Sequence, residues 1–398
     1  MNLKPVGILL LLMIAVPFTG IAQDATSNKF GKGITVVAQD SSFSMKFSTR
    51  FQTLYDGKLT IDDNSWSDKI LIRRARLKFD GFAYSPKLQY KVELGLSNRD
   101  HGSPNEFTSN TARMILDAVI KWNFVGNWTL WVGQTKLPGN RERIISSSSL
   151  QFVDRSIVNS RFTLDRDIGI QIRHKDVLGE NFVVKEIVAV SQGEGRNITA
   201  DNFGGYDYTF KVELLPFGEF ESKGDYFGSD LKREETPKLA VGLSYDFNDG
   251  AVRQRGQQGS FMEGTNGLVF TDLSTFLGDF MFKYKGFSAA GEYGNRQNID
   301  GFVAITGPNE VMKFISGSGF VLQAGYLFDN NFELAGRFTT VAPDDPAISG
   351  LREQTEYTLG VSKYIVGHSL KVQSDASLLQ SPGRSDELRF RLQMELSF

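Results

Sequence analysis

The chain ends Asp386-Glu387-Leu388-Arg389-Phe390-Arg391-Leu392-Gln393-Met394-Glu395-Leu396-Ser397-Phe398. From Leu388 every second residue is apolar: Leu388, Phe390, Leu392, Met394, Leu396 and Phe398. The residues between them, Glu387, Arg389, Arg391, Gln393, Glu395 and Ser397, are polar. This is the period of a β-strand with one apolar and one polar face. A strand that runs to the carboxyl terminus has nothing after it to cover its free edge. Pairing back onto the first strand closes a cylinder and removes that edge.

The pattern recurs along the chain. Phe43, Met45, Phe47, Thr49, Phe51, Thr53 and Tyr55 alternate with Ser44, Lys46, Ser48, Arg50 and Gln52. Ala75, Leu77, Phe79 and Gly81 alternate with Arg74, Arg76, Lys78 and Asp80, and Leu88 to Leu96 alternates in the same way. Further strands are expected at Met114–Phe124, Trp128–Lys136, Asp167–Lys175, Phe182–Ser191, Tyr206–Leu214, Leu239–Phe247 and Thr271–Tyr284. The rest are Phe287–Tyr293, Phe320–Phe328, Phe332–Thr340, Tyr357–Tyr364 and Leu370–Leu378, about sixteen with the last strand. Short turns and longer polar loops alternate between them, as in an up-and-down antiparallel sheet. Asp56–Asp68 and Leu137–Arg166 are among the expected long loops. Pro216–Pro237 is long where a turn is expected.

The polar faces decide the orientation. The first three strands and the last carry eight basic residues (Lys46, Arg50, Arg74, Arg76, Lys78, Lys91, Arg389, Arg391) against four acids (Asp80, Glu93, Glu387, Glu395). A cylinder of this size is too wide to fill with side chains, so an apolar interior would be an empty cavity. An apolar exterior in a bilayer with a wet interior satisfies both faces, which describes a transmembrane antiparallel β-barrel of the outer membrane of a Gram-negative bacterium. Aromatics near strand ends, such as Trp122, Phe124, Trp128, Tyr326 and Phe328, suit the two interfaces. A large soluble β-sandwich or solenoid is the alternative.

Composition narrows the function. Net charge is −2, so no basic excess is available for nucleic acid. Without cysteines, thiol catalysis and thiolate metal sites are excluded. The sequence has no G-x-S-x-G, P-loop or H-E-x-x-H pattern, and neither an enzyme nor a cofactor or metal site is expected. The acidic residues Asp225, Asp230, Glu234 and Glu235 lack calcium-loop spacing and read as solvated charge. Met1 to Ala22 reads as a signal peptide: Lys4, an apolar run from Val6 to Val16, Pro17, then Gly20-Ile21-Ala22. The run is short of the ~20 residues that span a bilayer. Residues 23–41 read as a polar spacer and 42–398 as the barrel domain.

Leu137–Arg166 is the longest loop expected. It carries Arg141, Arg143, Arg155, Arg161 and Arg166 with Glu142, Asp154 and Asp165, and enough apolar residues to pack on something. Folded into the barrel it would narrow and charge the lumen; outside, its arginines would pair with its own acids in water.

Gly133-Gln134-Thr135-Lys136-Leu137-Pro138, then Arg141-Glu142-Arg143, Ser146-Ser147-Ser148, Phe152, Arg155-Ser156, Asn159 and Arg166-Asp167-Ile168-Gly169-Ile170-Gln171 resemble the phosphate-selective porin O and P family. Ile72-Arg73-Arg74-Ala75-Arg76-Leu77 and Leu214-Leu215-Pro216-Phe217-Gly218-Glu219-Phe220 resemble other segments of it. The resemblance runs from about Ser42 to Phe398. It implies a sixteen-stranded trimeric channel with the third loop in the lumen and a longer periplasmic connection at 216–237. It also implies a carboxyl-terminal aromatic, here Phe398, read by the outer-membrane assembly machinery. In its best-known members an arginine ladder and a lysine cluster select anions. Here the arginines are matched, while Lys211, Lys223, Lys232, Lys238, Lys283, Lys285 and Lys313 are dispersed.

The resulting expectation is an outer-membrane channel for passive diffusion of small solutes, anion-preferring, with phosphate or polyphosphate as candidates. The alternatives are a general porin and a plugged surface-binding barrel. Lumen cations are expected at Arg50, Arg74, Arg76, Lys78, Arg141, Arg143, Arg155, Arg161, Arg389 and Arg391. Strict alternation sends Arg73 to the other face or to its end.

Overall fold

The computed structural model describes residues 25–27, 29–102, 104–301, 303–307, 310–344 and 351–398; the expected signal peptide lies outside them. Sixteen antiparallel strands form the barrel. They are β1 (Phe43–Thr60), β2 (Ser65–Ala83), β3 (Ser85–Gly95), β4 (Ile115–Val125), β5 (Trp128–Lys136), β6 (Arg166–Leu178), β7 (Phe182–Ser191) and β8 (Asp207–Leu215), then β9 (Lys238–Ala251), β10 (Thr271–Tyr284), β11 (Phe287–Asn298), β12 (Gly317–Leu327), β13 (Phe332–Pro343), β14 (Gln354–Val366), β15 (Leu370–Gln380) and β16 (Glu387–Ser397). Each pairs with its neighbour in sequence, and β16 pairs with β1 from Glu387↔Thr60 to Ser397↔Arg50. Phe398 adds the last rung, exchanging backbone hydrogen bonds with Thr49 at 2.8 and 3.0 Å.

The apolar face of β16 looks outward: Met394 is 50% exposed and its neighbour Glu395 is 0% exposed. The same holds around the wall, where Ile70, Ile120, Ile170, Phe210, Leu243 and Leu359 form part of an exposed apolar belt while the charges face inward. Among the described residues no helix is long and apolar enough to cross a membrane; the crossing is made by strands.

Two segments differ from the sequence reading. Most of the expected loop Asp56–Asp68 is strand, because β1 and β2 keep pairing out to Thr60↔Ser65 and leave only 61–64 as a turn. Gly57 makes this possible: a Cβ there would sit 2.5 Å from the Trp66 ring that packs across it. Part of the spacer is also strand. Ala25–Ser27 pairs with Ile34–Val37, which pairs with Phe47 to Ser44, covering the edge of β1 that projects past the end of β16.

Two long connections enter the barrel. Residues 137–165 join β5 to β6 from the long-loop end and contain two short helices, α1 (Arg141–Ile144) and α2 (Ile157–Phe162). Residues 216–237 join β8 to β9 from the opposite end, where the other turns run from one residue (Tyr84) to four (328–331).

Candidate functional site

The third loop crosses the lumen because its apolar and charged side chains both find partners on the far wall. At its start Arg141 is buried, with Nε 2.6 Å from Asp279 and Nη2 3.0 Å from Glu213. Lys211 donates to the Gly139 carbonyl at 2.7 Å. Farther on, Gln151 donates to Glu333 on β13 at 2.8 Å, and the Val153 N–H donates to Asp375 on β15 at 3.1 Å. Phe152 seats over Gly360, where a Cβ would lie 2.9 Å from its ring. On the return, α2 packs Val158 and Phe162 against Val321 and Val341. The loop therefore lies along β9–β16 and leaves open the sector bounded by β2–β8 and its own inner edge.

That open sector is a cavity of about 1070 Å³. It runs from Arg99, Arg196 and Gln258 in the long loops to Lys87, Lys175 and Lys223 near the short turns. Seventeen Lys and Arg line it against seven Asp and Glu, which leaves its wall strongly positive. A second chamber of about 320 Å³ shares Arg76, Lys91, Glu93 and Ser146 with it and is floored by Lys32, Lys46 and Phe398.

The expected cations separate into four groups. Arg74, Arg76, Arg143 and Arg155 line the main cavity, and Arg50, Arg76 and Lys78 line the second chamber. Arg141 lines neither; it is the buried anchor described above. Arg389 and Arg391 are spent on the wall, each forming a two-pronged pair, with Asp56 at 2.6 and 2.8 Å and with Asp375 at 2.6 and 2.9 Å. Arg161 sits on α2, half-buried, with Gln354 at 3.3 Å, away from both cavities.

Arg73 is a correction. Strict alternation sends it outward, but β2 bulges there: Gln52 pairs with Arg74, and Thr53 pairs with Ile72. The extra residue lets two successive arginines face the lumen, and Arg73 bonds Asp154 of the loop at 2.7 Å. The acidic group at 225–235 is a second correction. Asp225, Asp230 and Glu234 are buried, and Asp230 accepts the Gly286 N–H at 2.8 Å.

A basic stretch that is dispersed in sequence comes together by register. Lys121 and Arg173 lie on either side of β5, and both stand over the lumen-lining Trp131 ring, at 3.9 and 3.8 Å from its centroid. Lys91 and Lys185 line the same cavity. Each of the four stands on a different strand, and only the pairing register brings Lys121 and Arg173 to one ring.

How these cations are partnered sets the local field. Arg155 donates to the carbonyls of Glu142 and Ile145, both at 2.7 Å, and Lys136 donates to those of Arg143 and Ile144 at 2.7 and 2.9 Å. Carbonyl dipoles orient these groups, and among the described residues neither has a carboxylate at ion-pair distance. Arg143 is instead paired with Asp165, and Arg73 and Arg74 share Asp154. Burial acts to raise both loop carboxyls, yet Arg143 and Arg166 hold Asp165, and Arg73 and Arg74 hold Asp154, well below the usual carboxylate range. They stay ionised and keep their arginines in place.

Known proteins agree with this architecture. An Aquifex aeolicus (strain VF5) protein of undescribed function is 23% identical over 386 residues, 89% of this chain and 87% of that one. The anion-selective porin from Comamonas acidovorans superposes with a TM-score of 0.54 at 11% identity, covering 89% of this chain and 100% of that one. The outer membrane channel DcaP of Acinetobacter baumannii gives 0.53 at 10% identity, covering 91% and 99%. At such identities these structures speak for the fold alone. The profile of the family described as phosphate-selective porin O and P matches residues 46–398, nearly the whole barrel. The chain belongs to that family and is an outer-membrane β-barrel porin.

Proposed function

We propose that the channel passes small solutes down their gradient with a preference for anions, phosphate among them. The observation that carries this reading is the excess of seventeen basic over seven acidic residues around the open sector. In a wet passage enclosed by low-dielectric walls such an excess concentrates anions and repels cations. Arg155 supports it most directly, since its side-chain partners are carbonyl oxygens. Guanidinium forks suit phosphate oxygens, which makes Arg155, whose side-chain partners are carbonyls, the first residue on which phosphate would dwell; Arg76 and Arg143 line the same passage but already carry two-pronged pairs with Asp100 and Asp165. Membership of the family supports export by a signal peptide over Met1 to Ala22, recognition of Phe398 by the assembly machinery, and a homotrimer, which light scattering of the detergent-solubilised protein checks.

The test is recording of the refolded protein in planar bilayers across a KCl gradient, followed by addition of phosphate. A reversal potential on the chloride side, with current blocked by phosphate, is expected. A reversal potential near zero with phosphate inert would leave a general porin. Absence of conductance would favour a plugged surface-binding barrel.

A further inference from the structure

We infer that the connection 216–237 is a second constriction element, built into the barrel from the short-turn end, and that it both holds the third loop in place and shapes the exit of the passage. The inference rests on the diffusion-channel reading above.

The connection is not a loose periplasmic loop. Its middle, Gly224 to Asp230, penetrates the barrel, and Asp225, Ser229 and Asp230 are buried. It is fixed to widely separated strands. Lys185 on β7 pairs with Asp225 at 2.9 Å, and Tyr226 donates to Glu213 on β8 at 2.8 Å. Lys283 on β10 donates to the carbonyls of Gly224 and Ser229 at 2.9 and 2.7 Å. Ser229 donates to Glu333 on β13 at 2.6 Å and also meets Tyr364 on β14. Attachments to both sides of the barrel define a fixed strut across the lumen. Buried lysines and carboxylates are costly to hold unless paired in this way, so the strut is a built feature.

It touches the third loop at its turn. The Gly228 N–H donates to the Ser149 carbonyl at 2.7 Å, and Arg141 donates to the Asp225 carbonyl at 3.2 Å. A Cβ on Gly228 would lie 2.5 Å from the Gln151 backbone nitrogen, so no other residue fits without moving the loop. Ile145 and Leu150 of the loop share an apolar cluster with Phe220 of the connection and with Val183, Leu215 and Met281 of the wall. The opposite side of the strut is wet: Ser222, Lys223 and Tyr226 line the main cavity. One insertion therefore blocks the β9–β14 side of the lumen beneath the loop and places an exposed lysine at the exit of the open side.

The test compares the wild type with three variants in planar bilayers. In the first, residues 218–235 are replaced by a two-residue turn. Gly228→Val displaces the third loop without changing charge. Lys223→Glu alters only the exit charge and leaves the buried contacts alone. The shortened variant is expected to conduct roughly twofold more or better, because the blocked half opens. Gly228→Val is expected to change conductance, and Lys223→Glu to move the reversal potential toward the cation side at unchanged conductance. A wild type that conducts, with all three variants matching it, overturns the inference and leaves the channel reading intact. A wild type that does not conduct overturns the channel reading; conduction appearing in the shortened variant would then still support the strut as the blocking element. If the shortened chain fails to fold, Lys223→Glu alone decides: an unmoved reversal potential counts against a constriction at this exit.

Discussion

The two halves of the lumen are made by the same alternation and behave differently. On the β9–β16 side several inward charges are met by an opposite charge, Arg391 by Asp375, Arg337 by Glu356, Lys371 by Glu395 and Asp279 by Arg141 of the loop, while Lys283 and Arg296 are held by carbonyl and hydroxyl oxygens of the inserted segments and the wall. These groups are buried under the third loop and the 216–237 strut. On the β2–β8 side the wall is equally charged but water reaches it, and cations outnumber acids. A count of inward arginines along the sequence cannot tell a binding group from a structural one; what separates the halves is which of them the inserted segments cover.

The largest expected effect tests the covered half. Arg141→Met removes one of the two cations between buried Asp279 and Glu213 and leaves Lys211, at 3.2 and 3.6 Å, to hold both, which should cost about 3 kcal/mol, the low end for breaking a buried pair. Chemical unfolding followed by tryptophan fluorescence measures this. A loss under about 1 kcal/mol would mean that the pair is solvated and that the loop is held by its other contacts.

The open half should respond in the opposite way, in transport and little in stability. Lys121→Glu and Lys185→Glu place acids on the passage wall. Each should shift the reversal potential in a KCl gradient clearly toward the cation side. Lys121→Glu should stay within about 1 kcal/mol in unfolding, since Lys121 has no carboxylate partner to strand. Lys185→Glu also tests the strut, because it sets an acid against Asp225. Selectivity indifferent to Lys121→Glu would make the lysine and arginine around Trp131 a packing feature only.

Arg73→Ala probes the border between the halves. It breaks the 2.7 Å pair with Asp154 but leaves Arg74 at 3.4 Å from the same carboxylate, so a loss of about 1 kcal/mol is expected. Acidification sharpens the same point. Asp154 and Asp165 titrate below the usual range, so their contribution is complete above the ordinary carboxylate pKa of about 3.9 and is lost as pH falls through their lowered values. Selectivity set by the loop should therefore be the same at pH 7 and pH 5; a change between them would show that these acids are not held by their arginines.

Much of the barrel was legible because period-two alternation is a local signal and all sixteen strands carry it. The bulge at Arg73 was not, since an inserted residue has no signature in the alternation beyond a single shift, and Ile72-Arg73-Arg74-Ala75 reads equally well with Arg73 outward. The extension of β1 and β2 was hidden because Asp56, Gly57, Asp62 and Asp63 are turn formers by composition, while the Trp66 ring that fills the space above Gly57 is known only from the pairing. The buried acids at 225–234 read as solvated charge for the same reason: their partners, Lys185 and the Gly286 N–H, are distant in sequence.

The smallest expected effect concerns the arginine that sequence placed with the others and the fold set apart. Arg161 lies on α2 with one long hydrogen bond, 3.3 Å to a neutral glutamine, and lines neither cavity. Its neighbours Val158 and Phe162 do the packing that holds the helix to β12 and β13. Truncation to alanine removes no ion pair, opens no cavity in the apolar cluster and raises local helix propensity slightly. Arg161→Ala should therefore leave stability within about 0.5 kcal/mol and leave both conductance and reversal potential unmoved, whereas Arg143→Ala, eighteen residues earlier on the same loop, should weaken anion preference. A reversal potential that moved as far with Arg161→Ala as with Arg143→Ala would show that the loop's charge acts through the whole mouth rather than through the residues that line the passage, and the division of the lumen into two unlike halves would lose its electrostatic meaning.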